Sequence, residues 1–274
     1  MSLVAAIQMA SGPKVDANLI EAARLIGLAA SKGAKLVALP ENFFLMGMKE
    51  TDKVAIREED GDGPIQNFLK DQASKHGIWL VGGTVPLKAV AENKVRAACL
   101  VYNDQGERIA RYDKIHLFDV SLSENNETYS ESETTESGEN MVVIDTPFCK
   151  LGLAICYDLR FPEMFRYMAR QGAEVIVMPS AFTDITGKAH WETLVRARAI
   201  ENLAYMIAPG QGGFHANGRQ TYGDSMIVDP WGRVLDRLPK GSGVVMAEVD
   251  CRQVKTIRST FPALEHRKVF CDLP

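Results

Sequence analysis

Residues 33–43 read GAKLVALPENF and residues 172–182 read GAEVIVMPSAF. Each opens on a glycine suited to the end of a helix, continues as a short apolar run, and sets a proline at the run's carboxyl end. Four of the eleven positions are identical. Continuously apolar strands belong in sheets covered on both faces, as in parallel sheets flanked by helices. Two such helix–turn–strand units predict an α/β protein of two related halves. Glu41 and Ser180 then take equivalent corners, where strand ends converge and ligands of α/β sheets bind.

Outward from these segments the same alternation continues. Apolar runs predict strands over 3–9, 35–39, 78–84, 96–103, 142–146, 150–156, 174–179, 204–209, 222–229 and 243–249. Helical periodicity covers 15–32, 64–76, 162–171 and 188–203. The last of these sets Trp191, Leu194, Val195 and Ile200 on one stripe, with Glu192 four residues before Arg196 on the other face. Pro230 and Trp231 in DPWG read as turn and core residues. Residues 121–140 break the pattern: they hold six glutamates and no Lys or Arg, so the net charge without them changes from −4 to +2. Such a stretch reads as a solvated loop, or as a lid because of its length.

The composition excludes several classes. With 274 residues, 46% hydrophobic and 24% charged, the chain can bury a large core. Its 31 basic against 35 acidic residues give no basic excess for nucleic acid or an anionic membrane surface. No apolar run approaches the roughly 18 residues of a membrane helix. The opening MSLVAAIQMASGPK lacks the basic start of a secretory signal. Cys99, Cys149, Cys156, Cys251 and Cys271 form no CxxC and no metal-ligand spacing, which predicts reduced thiols in the cytoplasm.

One thiol stands out. In KLGLAICYDLRFPE (150–163) a buried strand delivers Cys156 to its carboxyl end, and FPE opens a helix. A thiol there can face a pocket on a rigid backbone, with the following N–H groups aimed at a developing oxyanion. A packed strand-end cysteine is the competing reading. A nucleophilic cysteine needs a base. His76 reads as a surface residue and His266, in a basic stretch, as a tail residue, and spacing nominates none of His116, His190 and His215. A buried carboxylate can serve instead, and Glu41 ends an apolar strand directly after Pro40. An ammonium such as Lys114 in RYDKIHLFD (111–119) favours a thiolate and stabilises an oxyanion, although lone lysines are usually solvated.

Taken together, LVALPENF, YDKIHLFD and GLAICYDLRFPE resemble the three signature segments of the nitrilase superfamily of carbon–nitrogen hydrolases. The likeness runs from IQM at 7–9 to EHRK at 265–268. It implies a four-layer αββα sandwich, one domain over 1–274, and a Glu41–Lys114–Cys156 triad that hydrolyses a small carboxamide through a cysteine thioester, releasing ammonia. The resemblance also implies an oxyanion site made by Lys114 and the Tyr157 backbone N–H. A second glutamate supports the lysine: Glu131 by the TYSES match, with Glu127 and Glu133 as rivals. No metal or organic cofactor is implied, and the partners are the amide and water within a homodimer or larger homo-oligomer. Residues 128–132, 181–202 and 208–232 resemble a branch of Nit-type amidases acting on deaminated glutathione. The ω-amidase branch, acting on α-ketoglutaramate-like amides, matches 208–222 less well. That Nit branch usually has GHS where this chain has Gly223-Asp224-Ser225, a change that bears on substrate preference if position 224 faces the pocket.

A carboxylate-bearing substrate calls for a further cation, for which Arg160 is the leading candidate; an ion pair with Glu163 or Asp158 is the alternative. Thr183 and His190 follow the second-half strand and are candidates to hydrogen-bond substrate, whereas Arg196 and Arg198 read as structural. The competing functions are hydrolysis of nitriles or N-carbamoyl groups, acyl transfer to another amine, a catalytically silent scaffold, and a thiol redox protein. The last lacks a resolving cysteine adjacent in sequence.

Overall fold

A computed structural model describes residues 1–122 and 127–269. In chain order the strands are β1 (Ser2–Gln8), β2 (Leu36–Ala38), β3 (Trp79–Val81), β4 (Val85–Lys88), β5 (Val95–Tyr102), β6 (Arg108–Asp113), β7 (Asp119–Leu122), β8 (Glu127–Ser130), β9 (Val142–Asp145), β10 (Lys150–Leu153), β11 (Val175–Val177), β12 (Tyr205–Ala208), β13 (Gly212–Phe214), β14 (Gln220–Tyr222), β15 (Ser225–Val228), β16 (Val234–Leu238) and β17 (Gly243–Val249). The α-helices are α1 (Val15–Ser31), α2 (Asp52–Ala55), α3 (Pro64–His76), α4 (Pro162–Arg170), α5 (Asp184–Asn202) and α6 (Cys251–Thr260).

The first sheet runs β17-β1-β2-β3-β5-β4, with β6 on β5; the second runs β16-β15-β12-β11-β10-β9. Each has three parallel strands at its centre, β1-β2-β3 and β10-β11-β12, flanked by antiparallel neighbours. Helices α1 and α3 connect the first trio, and α4 and α5 the second. Segments 33–43 and 172–182 supply β2 and β11, the middle strand of each trio. The two-half organisation read from the sequence is therefore present in strand order and direction.

Period-2 alternation sorts the side chains into layers. From β1 and β2, Val4, Ala6, Leu36 and Ala38 pack with Leu151, Leu153 and Val177 of the second sheet. The intervening Ala5, Ile7 and Val37 pack instead with Leu25 and Ile26 of α1 and Leu69 of α3. Phe165 and Met168 of α4, with Trp191 and Val195 of α5, cover the far side of the second sheet. The order is helices, sheet, sheet, helices, the expected αββα sandwich. Among the described residues no helix is long and apolar enough to cross a membrane.

Several expectations need correction. Helix α5 starts at Asp184 rather than 188, capped by the Thr183 side chain, which accepts from the Thr186 N–H. Gly187, inside this added turn, is a site of close approach: a Cβ there would lie 2.2 Å from Tyr222. Ile200 is 48% exposed and packs over Gly232, while Arg198 joins the buried stripe. Glu192 and Arg196 do pair, at 3.3 Å. Trp231 lies at a turn capped by Asp229, but it is exposed and edges against Phe261 rather than entering the core. The acidic stretch 121–140 is not one solvated loop. It contributes the hairpin β7–β8 and a 3-10 turn at Glu131–Glu133, and Glu136 is paired with Arg96. Residues 123–126 and Cys271 lie outside the described residues.

Candidate active site

The corner beyond β2 is clamped before any chemistry is considered. Asn42 has φ 55°, a left-handed conformation that asparagine tolerates better than most residues. Its N–H donates to Thr84 Oγ1 at 2.9 Å, and the Glu41 carbonyl accepts from Gln211 Nε2 at 3.1 Å. Gly83 has φ 57°, and a Cβ there would stand 2.2 Å from the Pro40 carbonyl oxygen. Only glycine lets that chain pass so close. These contacts fix Glu41, 4% exposed, with its carboxylate facing inward.

Beyond β10 the chain turns sharply into a 3-10 helix, Cys156–Arg160. Cys156 itself has φ 47°, a strained state for a residue with a side chain. The surroundings over-determine it. The Cys156 N–H donates to the Pro179 carbonyl at 2.9 Å. Asp158, wholly buried, accepts from the Tyr112 hydroxyl at 2.6 Å, from the Ile155 N–H at 2.8 Å and from the His116 N–H at 3.2 Å. The His116 ring nitrogen also meets it at 2.7 Å, with the ring stacked on Phe161. Arg198 donates to the Leu159 carbonyl from Nε at 3.0 Å and Nη2 at 2.7 Å. Sequence reasoning did not find the Asp158 anchor; a buried aspartate two residues past a strand-end cysteine was its only signal. Tyr157 N–H is one of the first amides of this short helix, those that have no intrahelical acceptor.

Lys114 enters between the two corners from the end of β6. Its ammonium donates to Glu41 Oε1 at 2.8 Å and to the Glu131 carboxylate at 2.8 and 3.0 Å. The Cys156 thiol lines the same cavity as Glu41, Lys114 and Ala181, where the charges of Glu41 and Lys114 act on it. Glu41, Lys114 and Cys156, remote in the chain, thus meet around one sulfur. The three glutamates left open by sequence are separated as well. Glu131 reaches Lys114 and accepts from the Phe118 N–H at 2.8 Å. Glu127 accepts from the Tyr129 hydroxyl, and Glu133 is exposed at the cavity edge.

The electrostatics follow from burial and charge. Desolvation alone would lower the Lys114 pKa, yet Glu131, Glu41 and Cys156 hold it well above its ordinary value. Desolvation raises Glu131, but Lys114 and Lys53 outweigh it and the carboxyl stays below its usual range. Cys156 goes the other way: burial, then the Glu41 charge, push its thiol well above normal against the pull of Lys114. Lys114 favours the thiolate, as expected, but burial and the Glu41 charge together outweigh it, so the resting thiol keeps its proton. The sulfur needs a base to lose its proton, and Glu41 lines the cavity beside it. His116, His190 and His215 are engaged elsewhere; His215 bridges the Ser11 carbonyl and Thr221 Oγ1 at 2.8 and 2.7 Å.

The cluster opens on a cavity of about 270 Å³ lined by Phe118, Tyr129, Phe182 and Thr221 among others. Arg160 faces it across the Tyr157 and Phe182 rings, 5.8 and 5.5 Å from their centroids. It is paired with neither Glu163 nor Asp158, so the ion-pair alternative fails. Lys53 and Arg219, not anticipated from sequence, also line the cavity and both pair with Glu50. Thr183 reaches the cavity, but its hydroxyl caps α5 and meets Thr186 Oγ1 at 2.8 Å. His190 does not line the cavity: it is exposed and contacts Arg160 at 3.3 Å from behind. Asp224 does not face the cavity either. It is buried and its carboxylate takes a two-pronged pair from Arg237, so this departure from GHS is absorbed by an ion pair.

Known proteins share this sequence and shape. The profile of the carbon–nitrogen hydrolase family matches residues 3–259. A Synechocystis sp. protein named deaminated glutathione amidase is 42% identical over 268 residues, 97% of each chain. The crystal structure of Nit3 from Saccharomyces cerevisiae, a member of branch 10 of the nitrilase superfamily, matches with TM-score 0.87 and 32% identity over 98% of this chain and 97% of that one. The Caenorhabditis elegans NitFhit protein matches with TM-score 0.89 and 37% identity; this chain covers 65% of its length and 97% of its own. Similarity along nearly the whole chain, in sequence and in shape, places this protein in the carbon–nitrogen hydrolase family.

Proposed function

We propose that the protein hydrolyses the amide of deaminated glutathione, with Cys156 as nucleophile, Glu41 as general base and acid, and Lys114 as electrostatic partner. The observation that carries this reading is the Lys114–Glu41 ion pair lining one cavity with the Cys156 thiol, whose ionisation both charges influence. Glu41 takes the thiol proton as sulfur attacks the amide carbonyl. Lys114 and the Tyr157 N–H stabilise the oxyanion; a donor of this kind is worth about 10²–10³ in rate. Glu41 then protonates the leaving nitrogen, since an amide nitrogen departs poorly as an anion. Water, deprotonated by Glu41, attacks the thioester, and the Cys156 sulfur leaves and regains its proton. Glu131 keeps Lys114 charged and in place.

The substrate assignment draws on the Synechocystis relative's name and on the cavity wall. Among the described residues no carboxylate pairs with Arg160, which leaves its guanidinium for a substrate carboxylate. In glutathione the γ-amide links glutamate to the amine of cysteinylglycine. Cleaving that bond in the deaminated compound releases the dipeptide, so ammonia is the expected product only with primary amides such as α-ketoglutaramate. We further propose a single catalytic domain that needs no metal or organic cofactor, working in the cytoplasm as a homodimer or larger assembly.

The test compares kcat/KM for deaminated glutathione and α-ketoglutaramate, with a simple nitrile and an N-carbamoyl amino acid as controls. Preference for deaminated glutathione, lost on Arg160→Ala through a rise in KM, is the expected result. Preference for α-ketoglutaramate would move the protein to ω-amidase chemistry, and turnover confined to the controls would reject the amide reading.

A further inference from the structure

Cys149 lies in the turn between β9 and β10 and is 8% exposed; Cys251 is the first residue of α6 and is half-buried. Far apart in the chain, they meet in the fold: Cys251 packs against the core cluster that holds Cys149, and each thiol shifts the ionisation of the other. Both line an open basin on the surface, together with Lys150, Arg252, Lys255 and Arg258. Acidic Asp145, Glu174 and Asp250 share the rim. The Thr146 hydroxyl stands 3.6 Å from the Cys149 sulfur. Neither sulfur belongs to the cluster around Cys156. Cys149 and Cys156 sit before and after β10, roughly 20 Å apart along an extended chain.

The two thiols are not equivalent. The neighbouring Cys251 thiol holds the Cys149 pKa below its ordinary value against the effect of burial, with help from Thr146. Cys251 is raised by the same interaction and by burial. One sulfur is therefore the readier nucleophile and the other keeps its proton, the division of labour between an attacking and a resolving cysteine. The sequence showed no such pair because the partners come from separate turns, brought together only where β10 and β17 reach the same end of the sandwich.

We propose that Cys149 and Cys251 are a reversible disulfide-forming pair, a modification site separate from the candidate catalytic centre, oxidised by hydrogen peroxide. The Cys149 thiolate attacks one peroxide oxygen, breaking the O–O bond to give a sulfenic acid and hydroxide. The Cys251 sulfur then attacks the Cys149 sulfur, the S–O bond breaks, and a second hydroxide leaves. The protons from the two thiols convert both hydroxides to water. Two thiols are oxidised to one disulfide and one peroxide is reduced to two waters, and a dithiol such as dithiothreitol reverses the change.

The experiment treats the full-length protein with a small molar excess of hydrogen peroxide, blocks free thiols, and maps the digest by mass spectrometry. The expected result is a Cys149–Cys251 linked peptide pair, two hydrogens lighter than its free components and released by dithiothreitol. In Cys251→Ser the link is absent, a sulfenic-acid probe captures Cys149, and amide hydrolysis is undiminished. Recovery of both cysteines as free thiols while exposed cysteine controls oxidise, or a link joining either one to Cys271 instead, overturns the proposal.

Discussion

Beyond β2 the chain places Glu41, buried against an ammonium and a thiol; beyond β11 the matching position holds Ser180, whose hydroxyl merely donates to the Met178 carbonyl at 3.1 Å. The other pair of corners is unequal in the opposite sense. The strand registers make Cys156, after β10, the counterpart of Met9, after β1, an apolar residue 1% exposed in the outer core of the first sheet. Each half supplies one reactive and one inert corner. The sandwich thus provides four equivalent places, and only the diagonal Glu41–Cys156, joined by Lys114, carries the chemistry. Architecture sets where a group can stand; the side chain and its neighbours decide whether it reacts.

That contrast can be broken or sharpened by mutating matched corners. The largest effect is expected for Cys156→Ala, with amide hydrolysis falling by about 10⁴-fold or more. Met9→Leu should cost under about 1.5 kcal/mol of stability and leave kcat within a few-fold. Next comes Glu41→Gln, which keeps the shape but not the base and should lower kcat about 10²–10⁴-fold. Ser180→Ala should cost only about 1 kcal/mol in thermal unfolding with turnover retained. Equal losses at Glu41 and Ser180 would mean that both corners are structural. Glu131→Gln is expected to reduce kcat roughly 10–100-fold by loosening Lys114, while Glu133→Gln should leave it unchanged.

The smallest effect concerns stability against pH. Glu131 has a folded pKa below its ordinary 4.5, so its contribution is complete above 4.5 and fades as pH falls through the folded value. Lys114 is raised above 10.5, so its contribution is complete below 10.5 and is lost as pH rises through the folded value. Cys156 stays protonated when folded, whereas the unfolded thiol ionises near its ordinary 9.0, so stability also declines as pH climbs past 9.0. Melting curves between pH 3 and 10 should show Glu131→Gln flattening the acid limb and Cys156→Ala the alkaline one. Unchanged limbs would mean that these groups titrate alike in both states.

Much of this arrangement was legible in one dimension. The four long helices and ten strands came from apolar period, because packing between layers leaves that imprint on sequence. Short or exposed pieces left little trace: α6 buries only Val254, and β16 carries half-exposed charge. Motif likeness placed Glu41, Lys114 and Cys156, but not the reason that they work together. Glu131 emerged from its neighbours only once the turn after β8 aimed it at Lys114. His190 was misplaced, and the orientation of Asp224 stayed open, because nearness in sequence to a site says nothing about which face of an element a side chain takes. Arg160 was found by charge alone, whereas Lys53 and Arg219 come from distant segments that only folding gathers at the cavity.

The central claim is a covalent bond between substrate carbon and one particular sulfur. Rapid acid quenching during turnover, followed by intact mass measurement and peptide mapping, tests it directly. The expected product is an acyl adduct on Cys156 alone, more abundant when Glu41→Gln slows its hydrolysis and absent in Cys156→Ala. Sustained amide hydrolysis by Cys156→Ala at the wild-type rate, or an adduct on a different residue, would contradict it.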